Sequence, residues 1–72
     1  MADLQTILYN GRPAAVVAGG QAIIPDSVPD RDLPTIKAMC LYALEIADGR
    51  IAGPYSTAQA LAYARAASAA RN

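Results

Sequence analysis

The sequence predicts a single small α+β domain over residues 1-72: a three-stranded antiparallel meander followed by two helices, with a possible short fourth strand between them. Three observations predict it. Asn10-Gly11 separates two runs rich in β-branched and apolar residues, and both central positions of a type I′ hairpin turn need φ > 0. Asp32 to Gly49 carries a helical apolar pattern with large side chains and ends on glycine. Eight of the fourteen residues from Thr57 to Ala70 are alanine, the best helix former.

The first strand is Leu4-Gln5-Thr6-Ile7-Leu8-Tyr9 and the second Pro13 to Ala18, its proline tolerated only at a strand start or an edge. Gly19-Gly20 offers the next turn, and Gln21-Ala22-Ile23-Ile24 a third strand stopped by Pro25. Leu4, Thr6 and Leu8 point one way, Gln5, Ile7 and Tyr9 the other. Neither set is cleanly polar, so the sheet is covered on both sides or one face meets a partner.

The loop from Pro25 to Asp32 is turn chemistry, with Val28 expected to plug the core. Asp30 or Asp32 is the expected N-cap of the first helix and Pro34 falls in its first turn. Ile36, Met39, Cys40, Ala43, Leu44, Ile46 and Ala47 share one broad apolar sector, with Tyr42 at its margin. Lys37, Glu45 and Asp48 take the opposite side, and Leu41 falls among them, out of pattern. Gly49 sits where a left-handed C-cap is wanted.

Arg50-Ile51-Ala52 is a short strand or plain loop, and Ser56 with Gln59 has the form of a capping box opening the second helix. That helix forms readily but buries little, because Leu61 and Tyr63 are its only large apolar residues and lie on different faces. Its small side chains let another backbone approach closely, and its last turn, Ser68 to Asn72, should fray. A strand, then Gly53-Pro54-Tyr55-Ser56, then an alanine-rich helix is similar to the closing half of SPOR-type repeats and of other small α+β domains. The resemblance covers only this stretch, implies a way of packing and carries no function.

Composition limits what such a chain can do. Of its 39 hydrophobic residues 17 are alanine, and there is no Phe or Trp, so the core is thin. Small scaffolds usually need a disulfide, a metal or a partner subunit. One cysteine and no histidine rule out an internal disulfide and an ordinary structural zinc site, which leaves another protein or copies of itself. Six basic residues balance six acidic ones, and the arginines at 12, 31, 50, 65 and 71 are scattered; nucleic acid is an unfavoured partner, since phosphate contacts dominate its affinity. No apolar run is long enough to span a membrane, and Met-Ala-Asp-Leu-Gln has no signal-peptide character, so the expectation is a cytoplasmic protein.

Catalytic and cofactor chemistry is unsupported. The lack of histidine removes the commonest general base and the usual partner of a Ser or Cys nucleophile. Cys40, mid-helix on the apolar sector, reads as an inert core thiol. Gly19-Gly20 is followed by no Lys-Ser or Lys-Thr, so it cradles no phosphate. Asp26, Asp30 and Asp32 fail as a calcium loop, for want of its glycine and its closing glutamate. Two helices on a short connection invite a helix-turn-helix reading, but around Gln59 the phosphate contacts are missing.

The expectation is therefore a non-enzymatic protein-protein interaction module without cofactor or metal. A phage-encoded inhibitor of a bacterial defence or regulatory complex fits proteins of this size. A structural homo-oligomer or assembly subunit is the alternative, and a small DNA-binding regulator the next. The expected contact residues are Leu41 with its neighbours Lys37 and Glu45, then Tyr63 and Tyr9 with one face of the first strand.

Overall fold

A computed structural model describes residues 4–71, with side chains through residue 69. Strands β1 (Gln5–Tyr9), β2 (Arg12–Ala18) and β3 (Gln21–Ile23) form an antiparallel meander in the order β1-β2-β3. Helices α1 (Leu33–Ala47) and α2 (Thr57–Arg71) follow. The α+β architecture expected from the sequence is the one observed.

Both hairpins turn where the sequence places them. Asn10 and Gly11 have φ of 55° and 76°, Gly19 and Gly20 58° and 78°, the paired left-handed conformations that match strand twist. Between the strands, Ile7 pairs with Ala15 but Leu8 with Pro13, so Ala14 is an extra residue and β2 bulges there. β3 pairs only with Val16, Val17 and Ala18. The β3 flank of β2 is therefore open beside Pro13, and the imino nitrogen breaks no ladder on that side.

Helix α1 starts and stops for different reasons. Asp32 is at the N-cap position, yet with φ −93° and ψ −14° it is already helical and its carboxylate makes no capping hydrogen bond. The expected side-chain cap is absent; the chain instead enters through turn bonds, Asp32 N–H to Pro29 O at 3.0 Å and Leu33 N–H to the same oxygen at 3.1 Å. At the far end Gly49 has φ 78°, its N–H donates to Ile46 O and the Arg50 N–H to Glu45 O, the double bond pattern of a Schellman stop. Residues 50–52 form no strand: Arg50 and Ile51 both donate to Glu45 O, which commits their amides to the helix end.

The core lies between one face of the sheet and α1, closed at the side by α2. Ile7, Ala15 and Val17 from the sheet meet Ile36, Met39, Cys40, Tyr42 and Ala43 from α1 and Ala60 and Ala64 from α2. Val28 packs against this cluster from its loop, as expected. Tyr42 is a correction, since it is buried rather than marginal. Its ring centroid lies 6.1 Å from that of Tyr55 and 5.2 Å from that of Tyr63. Tilted aromatic pairs at such spacings add about 0.5–1.5 kcal/mol each beyond their buried area. A core with no Phe or Trp is thus filled by tyrosines.

Tyr42 also alters the start of α2. Its hydroxyl donates to Gln59 Oε1 at 3.1 Å, while the Gln59 N–H donates to Ser56 Oγ at 3.4 Å. Only the serine half of the capping box forms, because the glutamine side chain is spent on the core.

Burial raises the Cys40 thiol and the Tyr55 hydroxyl above their usual ranges, for Tyr55 against a smaller lowering by the neighbouring Thr57 side chain. Both groups therefore ionise first in the unfolded chain. Their stabilising effect is complete below the unfolded thiol pKa, about 8.5, and is lost as pH climbs through that range and through the tyrosine range near 10. The urea midpoint should be flat from about pH 6 to 8 and fall by about pH 10. A midpoint that holds at the alkaline end would show that neither group is kept protonated by the fold.

Candidate protein-binding groove

Helices α1 and α2 pack along one side, and between them runs an open groove of about 500 Å³. Leu33, Pro34, Ala38 and Leu41 line it from α1, and Tyr63, Ala64, Ala67 and Ser68 from α2. The local sequence explains the shape. Ala60 and Ala64 are buried in the helix contact, so α2 lies close to α1 at its start. Beyond Ala64 its side chains are too small to fill the space, and the groove remains. Leu41 is 46% exposed on the wall, and Lys37, one turn earlier, is exposed beside it. Lys37 has no ion-pair partner among the described residues.

Of the five expected contact residues the structure brings three together here: Leu41, Lys37 and Tyr63. Tyr63 is half-buried, its ring packed at a tilt against Tyr42 and also lining the groove, so it is an anchored wall rather than a loose group. Glu45 is not part of the groove. It is half-buried and its carboxylate lies 3.5 Å from the Arg50 guanidinium, an ion pair at the α1 terminus. Tyr9 is elsewhere too. It lines a second depression of about 520 Å³ with Arg12, Pro13, Pro25, Pro29 and Asp32, between the first hairpin and the loop before α1. Sequence reasoning missed Leu33, Pro34, Ala38 and Ala67. Their signal was available as small or apolar residues at three- and four-residue spacing on two helices, but it needed the helix pairing to become a surface.

The sheet has a second open surface. The helices cover the face with Ile7, Ala15 and Val17, leaving Leu4, Thr6 and Leu8 on the other. Across the strands Thr6 is in register with Val16 and Val16 with Ile23. Leu4 and Ile23 are 68% and 60% exposed and Leu8 38%. The choice left open by the sequence is thereby made: the Leu4–Thr6–Leu8 face is the uncovered one.

Among the described residues no cluster of three or more His, Cys, Asp or Glu could hold a metal ion, and no helix is long and apolar enough to cross a membrane. Compared with protein-family models, with curated proteins and with solved structures, the chain shows no match.

Proposed function

We propose that the protein is a non-enzymatic binding module whose α1–α2 groove takes an amphipathic helix of another protein. The observation that carries this reading is Leu41, an apolar side chain on the wall of a mostly apolar groove that Asp30 also lines, beside a Lys37 ammonium with no ion-pair partner among the described residues. Helices dock in such grooves by placing apolar residues at three- and four-residue spacing against the walls. The alanines of α2 let the incoming backbone come close. Lys37 at the rim calls for an acidic residue at the matching edge of the guest helix, which fixes its register more than its affinity. A DNA-reading role for Gln59 is the weaker reading, because its carbonyl oxygen already accepts the Tyr42 hydroxyl.

Affinity capture from a bacterial lysate tests the proposal. Wild type should recover a stoichiometric partner and Leu41→Asp should lose it at unchanged circular dichroism. Burial of one leucine contributes about 1.5–3 kcal/mol, so the variant should bind at least about tenfold more weakly. Recovery that is undiminished by Leu41→Asp, or no stoichiometric partner at all, contradicts the groove. Lys37→Glu should weaken the same complex by less, and more at low salt than at high.

A further inference from the structure

We infer that two copies of the chain pair through the uncovered sheet face, Leu4, Leu8, Val16 and Ile23 of one against the same residues of the other. This reading stands independently of the groove, which lies on the helical side. Three observations point to a second copy as the occupant. Among the described residues the face carries no charge: its rows are Thr6 and Leu8 on β1 with Leu4 just before it, Pro13, Val16 and Ala18 on β2, and Gln21 and Ile23 on β3, Gln21 being a neutral amide at the rim. An isologous contact sets each residue near its own kind, so a charged face would repel itself and this one does not. With Leu4 and Ile23 68% and 60% exposed and Leu8 38%, the patch is on the order of 500 Å², the upper size a solvated monomer carries, and complete burial of two such patches reaches on the order of 1,000 Å², the least a specific interface needs. Finally, the protein's own core is short of volume, with alanine at four of its ten buried positions, and a second apolar layer about 10 Å from the first adds what a two-layer fold of this length lacks.

Face-to-face packing of twisted sheets crosses the strands at about 30° and puts the helices of both copies on the outside. The pair then displays two helical grooves facing opposite ways, so a partner that offers two helices is held by avidity as well as affinity.

Sedimentation equilibrium of the full chain across the micromolar range tests the pairing. Wild type should fit a monomer–dimer equilibrium. Ile23→Lys, a substitution that edge strands accept, should raise the dimer dissociation constant about 100-fold or more, because the two-fold axis makes each change count twice. Leu41→Asp should dimerise as wild type does, which separates this result from any failure of the groove. In a mixed sample of isotope-labelled and unlabelled wild type, intermolecular NOEs should link the methyls of Leu8, Val16 and Ile23, a readout that needs no variant. A wild type monomeric at every concentration, a dimer indifferent to Ile23→Lys, or intermolecular NOEs at Leu41 each overturns the pairing. A monomeric wild type that captures a partner lost with Ile23→Lys assigns the face to another protein and overturns it as well.

Discussion

Met39→Ala should lower the melting temperature by at least about 8 °C. Met39 is 0% exposed, sits mid-way along α1 and is, with Ile7, Ile36 and Cys40, among the largest fully buried side chains of the described residues. Truncating such a residue to alanine costs about 2–5 kcal/mol, the transfer of the lost methylenes plus the cavity that stays open. A domain of this length has roughly 4–11 kcal/mol in all, and each kcal/mol moves the midpoint of a small domain by about 4–8 °C. The neighbours cannot close the gap cheaply, because several are alanines with nothing to rotate into it. Met39→Leu, close in volume, should cost less than about 1.5 kcal/mol. Thermal melts followed by circular dichroism decide it, and similar melting of the alanine variant and wild type would place Met39 outside the core.

Ala60→Leu should be nearly as damaging for the opposite reason. Ala60 is 0% exposed in the contact between α1 and α2, and Ala64, one turn on, is 4% exposed. Added methylenes there must push the helices apart or force side chains off their rotamers, at about 1–3 kcal/mol or more. The displacement reaches further than the helix contact. It lengthens the Tyr42–Gln59 hydrogen bond and unstacks Tyr63 from Tyr42, so the near-ultraviolet tyrosine signal should weaken along with the melting temperature. The exposed neighbour Ala58→Leu is the control and should stay within about 0.5 kcal/mol of wild type. Equal effects of the two leucines would mean that α2 does not pack on α1 through this stripe.

The contrast between these residues shows what is legible in the sequence alone. Local chemistry was legible: Asn10-Gly11 and Gly19-Gly20 set both turns, Gly49 stops α1, and the alanine run makes α2. The outward Leu41 was legible as well, since helical periodicity alone puts it among charges. Long-range consequences were not. Tyr42 sits at the edge of the apolar sector by angle, and only the arrival of Tyr55 and Tyr63 from later in the chain buries it. Gln59 looked like half of a capping box because the competing donor, the Tyr42 hydroxyl, is seventeen residues away. Residues 50–52 read as a short strand or plain loop, and they are loop because the Arg50 and Ile51 amides are claimed by the end of α1. In the candidate groove the wall residues of α1 were partly visible, whereas its floor depends on how close α2 comes.

Helix α2 is held unevenly. Its first turns are tied down by Ser56, by Gln59 through Tyr42, and by the buried Ala60 and Ala64, while Arg65 through Ala69 are all exposed. Thermal unwinding should therefore loosen Ala67 and Ser68 before it disturbs the core, a sequence that amide exchange along the helix would show. On the α2 side of the groove Tyr63 and Ala64 are held and only Ala67 and Ser68 have room to give, so a guest helix of the kind proposed would find its width adjusted at that end alone.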